Sequence, residues 1–377
     1  MRITAQKLGL KNSLKERIIR PFWNYRGIES KPGIPIQFSE FLKTRPDGGE
    51  VILKNGVPIT VLDILTDMGT DPDQLYLNNL ASRNDDFKYL FGPILEDIIW
   101  GGFNGGPDSP AMWQSLCAAT NVPVAQESLQ STSIQFNGVP GPTAEGEMFP
   151  EVTLQYCDKA FAWKKKGLSL RLTVEYLRAN PLPVISHYLI YIGRLLQYIE
   201  NQACILALLN GDLTGPATAA PVVGVATTQI GLGYEDFLRC WTRGGILGER
   251  WHTVISGEAM GIKIGQIHEF KVRETGTPLV QIVNRPEPQN MNRWVSEDVP
   301  EHQVLLVDTS NAVRQRVFIP LNVMQSEKPE NWTQGVTVGY STIFERLGDK
   351  ALVAIDESKA FSGYGFPTWF AIGANRS

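Results

Sequence analysis

Residues 159–212 read KAFAWKKKGLSLRLTVEYLRANPLPVISHYLIYIGRLLQYIENQACILALLNGD, and they place a strand directly before a long helix. In the first half, Leu168, Leu170, Leu172, Val174 and Tyr176 alternate with Ser169, Arg171, Thr173 and Glu175, the period of a β-strand with one apolar and one polar face. Such a strand is expected at a surface or against a partner, not between two buried layers. Pro181 and Pro183 then open a helix that closes at Asn210-Gly211, since proline is tolerated in a first turn and glycine is favoured just past the last. Within it Ile185, Leu189, Ile192, Leu196, Ile199, Ala203 and Leu206 step by four and three alternately, which makes one continuous apolar stripe. The flanking positions are not consistently charged and Ala203 is small, so the stripe is expected to pack on a sheet and not in a coiled coil.

Working outward, Val152, Leu154 and Tyr156 alternate with Thr153, Gln155 and Cys157, and with the run from Leu168 they form a β-hairpin signature. Residues 59–100 carry helical apolar spacings, and GGFNGGPDSP (101–110) reads as a Gly/Pro hinge loop. Residues 211–224 read as a second loop. Beyond it, 234–242 and 257–272 look helical, whereas 251–255, 279–283, 303–308, 316–319 and 351–355 look like strands. The aromatic, Gly-rich AFSGYGFPTWFAIG (360–373) is expected to be docked.

The chain has 377 residues, 43% hydrophobic and 20% charged, enough to bury a core as one large or two modest domains. Its 35 Gly and 24 Pro imply much turn and loop, so a mixed or β-rich fold is expected. The net charge of -4 argues against a nucleic-acid binder over the whole surface. The charge is uneven, because residues 1–54 hold eleven Lys and Arg against five Asp and Glu. A basic arm of +6 therefore precedes a body of -10. Pro21, Pro32, Pro35 and Pro46 interrupt that arm, which is expected to be extended. Deleting residues 1–50 is accordingly expected to leave a foldable subunit. Cys117, Cys157, Cys204 and Cys240 are widely spaced with no CxxC and read as reduced thiols. No apolar run approaches the roughly 20 residues a membrane span needs, and the opening residues lack the apolar core of a signal peptide.

Residue types that carry chemistry do not converge. None of His187, His252, His268 and His302 lies three or four residues from another, so a metal site is not expected. No nucleophile elbow or phosphate-binding glycine loop occurs, and pairs such as Asp85-Asp86 or Glu297-Asp298 sit in polar contexts where nothing desolvates one member. Lys164, Lys165 and Lys166 beside Trp163 could stack and hold single-stranded nucleic acid, but a short isolated run reads better as a charged strand edge or as a contact to an acidic neighbour. No catalytic residue, cofactor or metal is expected. What remains are features with little use inside a monomer: a basic arm, a two-stranded excursion and a long helix, each offering surface to other copies.

In its order of elements, the stretch from KAFAWKKKG to LLNGD resembles the strand and spine helix of the HK-97-type major capsid proteins of tailed bacteriophages, whose helix also closes on leucine, asparagine, glycine and aspartate, here Leu209, Asn210, Gly211 and Asp212. Residues 304–355, with Val307-Asp308 and Glu345-Arg346, are similar to that family's closing segment, and the resemblance covers roughly residues 125–357.

The resemblance implies an α+β fold: an extended arm (1–57), a helical segment and loop (58–124), an E-loop hairpin (125–170), a peripheral domain of strand and spine helix (171–214, continued by 310–345), an axial domain (215–357) and a tail (358–377). It implies a shell subunit forming hexamers and pentamers with copies of itself, and possible contact with portal, scaffolding and decoration proteins. Packaged double-stranded DNA would be touched nonspecifically, the place would be a virion capsid assembled in the bacterial cytoplasm, and no membrane would be involved. Assembly contacts are expected at Arg17, Arg20 and Trp23 in the arm, at Phe149, Trp163, Lys164, Lys165 and Lys166 along the hairpin, and at Leu196 in the helix. Some members crosslink through a hairpin lysine, but between Asn55 and Asp158 the only lysine is Lys88, so noncovalent fastening by a retained arm is expected instead. An encapsulin-like nanocompartment shell, a soluble enzyme without recognisable motifs and a tail-tube or portal-associated protein remain as alternatives.

Overall fold

The computed structural model describes residues 21–22, 38–48, 53–54, 57–58, 64, 85–106, 109–123, 128–137, 151–160, 165–180, 182–211, 219–226, 231–267, 270, 291–328 and 333–370. The chain runs through helices α1 (Phe38–Thr44), α2 (Asp85–Phe103) and α3 (Met112–Leu116) into strands β1 (Cys117–Pro123), β2 (Ser128–Asn137), β3 (Glu151–Ala160) and β4 (Lys165–Thr173). Helices α4 (Val174–Ala179) and α5 (Leu182–Asn210) follow, then β5 (Val222–Val225), α6 (Tyr234–Leu247), β6 (Thr253–Ser256) and α7 (Glu258–Gln266). Strands β7 (Asn292–Val295), β8 (Gln303–Val307), β9 (Val313–Lys328), β10 (Thr333–Arg346) and β11 (Leu352–Ala360) close it, so the fold is mixed α+β.

Two sheets organise the core. One has the order β1-β9-β10-β4, antiparallel except where β1 runs parallel to β9. The other has the order β7-β6-β8-β11-β5 and is mixed. Apolar runs without alternation, VLLV at 304–307 and LVAI at 352–355, belong where both faces of a sheet are covered. They form neighbouring strands of the second sheet, and that sheet separates two cores. Leu305, Val307, Leu352 and Ala354 face the larger cluster with α2 and α5. Val304, Leu306, Val353 and Ile355 face a smaller one built on Phe237, Cys240 and Trp241 of α6 and on Met260 and Ile264 of α7. The tail is docked as its aromatics suggest, with Phe370 buried and Phe361, Phe366 and Trp369 packed on the smaller cluster.

Helix α5 starts and ends where its proline and glycine signals put it, and Ile185, Leu189 and Leu196 are buried. The stripe does not hold to its last member. Leu206 is exposed, and Cys204, Ile205 and Leu208 are buried in its place. A helix of 3.6 residues per turn drifts about 20° every seven residues from a four-three repeat, so after three repeats a different set faces inward.

Several expectations are corrected. The run 168–176 does not hairpin with 152–156: β4 pairs with β10, from Lys165 opposite Ser341 to Thr173 opposite Thr333, and β3 pairs with β2. The strand also ends early, because the Thr173 hydroxyl accepts the Tyr176 N–H at 3.2 Å and starts α4, leaving Val174 and Tyr176 helical. Leu168 and Leu170 pack on the larger core while Ser169 and Arg171 are exposed, so β4 has one covered and one open face. The hinge reading of Gly101-Gly102 fails, since both continue α2. A Cβ on Gly102 would lie 2.3 Å from the Ile190 carbonyl oxygen, and one on Gly193 would lie 2.3 Å from that of Ile99. These glycines let the backbones of α2 and α5 touch. The arm is not extended throughout: α1 buries Phe38, Phe41 and Leu42, and Phe22 stacks edge-on against both phenylalanines at 4.9 and 5.4 Å. Residues 211–224 include β5, and 292–295 form β7. The expected strand at 279–283 lies outside the described residues.

Candidate functional site

Several ionisable groups in the interior are held by partners within the chain. Glu200 of α5 is fully buried and takes donors from three strands. Lys166 of β4 gives its ammonium at 2.6 Å, Thr342 of β10 its hydroxyl at 2.9 and 3.0 Å, and Gln315 of β9 its amide at 3.3 Å. The Lys166 ammonium also lies 5.7 Å from the Phe344 ring centre and 5.8 Å from that of Tyr340. This pair fastens α5 to the four-stranded sheet. Asp308 is buried and accepts the N–H groups of Arg250 (2.7 Å) and Ser310 (2.9 Å), shaping the turn after β8. Glu345 holds both Arg314, at 2.8 Å, and Arg316, at 2.9 Å.

Cys117, Cys204 and Cys240 are free thiols. The neighbouring Cys117 thiol and burial push Cys204 well above the ordinary range, and burial pushes Cys240 up as well, so both stay protonated and poor nucleophiles. Among the described residues no group of His, Cys, Asp and Glu could hold a metal ion, and no helix is long and apolar enough to cross a membrane.

The surfaces are more distinctive than the interior. Strands β2 and β3 form a ribbon of ten antiparallel pairs, from Ser128 opposite Ala160 to Asn137 opposite Glu151, and no third strand joins it among the described residues. Helix α5 carries a second stripe, Val184, Tyr188, Tyr191, Leu195 and Tyr198, all exposed. At its end a cleft of about 650 Å³ opens between α5 and the loop 296–301, with Glu258, Glu297, Asp298 and Glu301 in its wall. The Tyr198 hydroxyl donates to Glu297, which pushes the phenol up to about 12.

Of the assembly residues read from the sequence, Leu196 is buried in the chain's own core and Lys166 points its charge at Glu200. Lys165 is exposed on β4, an edge strand of its sheet. Arg17, Arg20, Trp23, Phe149, Trp163 and Lys164 lie outside the described residues. Sequence reasoning missed Glu200 and the tyrosine stripe. The signals were present: a glutamate four residues after Leu196 in the apolar repeat, and a four-three spacing one position ahead of the one recognised.

No family model matches the chain, and no curated protein matches it. Solved structures to which this chain is similar include phage capsids and a virus-like particle. In particular, it aligns with the capsid of the cyanophage P-SCSP1u at a TM-score of 0.47 and 10% identity, over 65% of this chain and 88% of that one. It also aligns with the virus-like particle of Pyrococcus furiosus at a TM-score of 0.45 and 12% identity, over 70% and 98%. The mature capsid of bacteriophage PhiM1 aligns at a TM-score of 0.43 and 7% identity, over 67% and 88%.

Proposed function

We propose that the chain is a major capsid protein, a shell-building subunit that self-assembles as hexamers and pentamers around double-stranded DNA, with its arm and its ribbon fastening neighbours noncovalently. One observation carries the reading. Among the described residues the ribbon β2–β3 pairs only with itself, over ten residues, and an isolated two-stranded ribbon is marginal in water. It gains lasting order by lying on another molecule, which is how an overlapping hairpin of a shell works. On this reading the four-stranded sheet with α5 is the peripheral domain, and the five-stranded sheet with α6 and α7 is the axial domain nearest the capsomer centre. Arm, ribbon and exposed stripe give one chain several distinct self-association surfaces, which is what closure of a shell requires.

The test is electron microscopy with light scattering on the purified full chain. Closed particles of uniform diameter are expected, with nuclease-resistant DNA inside those taken from the native source. A stable monomer or dimer at micromolar concentration would refute the shell, and closed particles filled with a protein cargo instead of DNA would refute the genome-packaging part.

A further inference from the structure

Two surface features meet at Tyr198, and their contacts inside the chain, Tyr188 edge-on to Tyr176 and the Tyr198 hydroxyl on Glu297, leave most of the stripe open. The first is the stripe on α5, whose members are between 37% and 59% exposed and recur at intervals of four and three. Single exposed apolar residues are ordinary, but five in register along about 21 Å of helix make a continuous face. The second is the adjoining cleft, whose ionisable lining residues are all acidic. Asp298 there takes the Gln202 amide at 2.8 Å and the Ser296 hydroxyl at 3.1 Å, while Glu258 and Glu301 are exposed and have no partner among the described residues.

The matching chemistry is in the chain itself. Residues 1–20 contain six Lys and Arg against one Glu. Leu10, Leu14 and Ile18 recur every fourth residue, and so do Lys7, Lys11 and Lys15, so apolar and basic residues share one spacing. Geometry favours a different molecule as its source. Residue 193 lies nine positions, and so half a turn of angle, from residue 184, and it is there that α2 packs. The stripe therefore faces away from α2, where Asp97 holds α1 and where Phe22, two positions past the amino-terminal segment, stacks on the α1 phenylalanines.

We propose that the stripe and the acidic cleft together receive the basic amino-terminal segment, residues 1–20, of a second copy of this chain. This rests on the self-associating subunit reading above. The segment lays Leu10, Leu14 and Ile18 on the tyrosines and directs lysines into the cleft.

The test uses the full chain with Tyr191→p-benzoylphenylalanine, prepared from mixed unlabelled and 15N-labelled protein, irradiated and mapped by mass spectrometry. Crosslinks between position 191 and residues 1–20 that join a labelled to an unlabelled chain are expected. Glu258→Lys/Glu301→Lys should lower their yield at least fivefold, and adding Lys11→Glu/Lys15→Glu should restore it. Crosslinks only within one label state would overturn the second-copy assignment. Crosslinks elsewhere, or none, would overturn the docking altogether. Particle formation by the unmodified chain is scored separately by microscopy, so closed particles without the crosslink refute the docking and leave the shell, whereas crosslinked chains that never close refute the shell and leave the docking.

Discussion

Replacing Lys166 by methionine removes the charge that balances Glu200, together with the ammonium that lies over Tyr340 and Phe344, and leaves an uncharged side chain of similar length. Unit charges 2.6 Å apart attract by about 6 kcal/mol at an effective dielectric of about 20. Desolvation of the carboxylate offsets most of that, and breaking a buried pair from one side costs about 3–5 kcal/mol. The two sides are unequal here. Glu200 has no exposed side-chain surface, whereas that of Lys166 retains 15%. Lys166→Met thus strands a carboxylate with only neutral donors and should cost about 3 kcal/mol. Glu200→Gln leaves an ammonium with a route to water and should cost about 1–2 kcal/mol. The double variant should be less destabilised than the sum by at least about 1.5 kcal/mol. Urea unfolding of the unassembled subunit, followed by tryptophan fluorescence, measures all three. If Glu200→Gln cost as much as Lys166→Met, or the coupling were under about 0.5 kcal/mol, the reasoning from unequal enclosure would be refuted.

Gly193→Ala drives a methyl into the Ile99 carbonyl and should destabilise by about 3 kcal/mol or prevent folding, while Gly101→Ala, with nothing within 4 Å, should gain about 0.5 kcal/mol in the same assay. Asp97 accepts the Ser39 N–H at 3.0 Å with its other oxygen buried and unpartnered among the described residues, and burial raises its carboxyl from 3.8 to about 6. Between those values the folded chain holds a proton that the unfolded chain has lost, so this group's contribution falls as pH rises through the window, by at most about 3 kcal/mol, and is constant above it. Asp97→Asn should flatten that dependence, and denaturation profiles at pH 4 and 7 that stay parallel to wild type would contradict it. Deleting residues 1–50 removes Phe22, Phe38, Phe41 and Leu42 from the larger core and should give insoluble protein, contrary to the expectation from sequence, whereas deleting 1–20 should leave a soluble subunit with fewer or weaker particles. Leu196→Asp places an unpaired charge at a fully buried position and should abolish soluble expression.

Helix α5 and the two central strands β8 and β11 were legible in the sequence because their signals are local: a proline start, a glycine stop, a stripe, and apolar runs without alternation. Pairing was not. Alternation at 152–156 reports which side of a strand is apolar and says nothing about its partner, which turned out to be the polar SLQSTSIQFN of β2. Gly102 looked like a loop residue because a glycine chosen for contact leaves no mark that separates it from one chosen for a turn. The three lysines read as a charged strand edge or as a contact to an acidic neighbour, and only the third dimension shows one of them turned onto a glutamate of the same chain thirty-four residues away. For function, the second stripe has the same four-three spacing as the first and lies one position from it, so spacing alone does not separate the two.

Because Glu200 draws on β4, β9 and β10 at once, α5 is keyed to the sheet at one position along its length. Sliding by one turn, 5.4 Å, would bring Leu196 or Cys204 under those donors and leave an ammonium, an amide and a hydroxyl with no acceptor. The helix and the four strands therefore move as a single plate. In a closed shell built from one sequence, subunits must meet at more than one curvature, and a plate locked in this way cannot supply the difference by shearing within itself. On the proposed shell reading, the bend is taken up outside this plate.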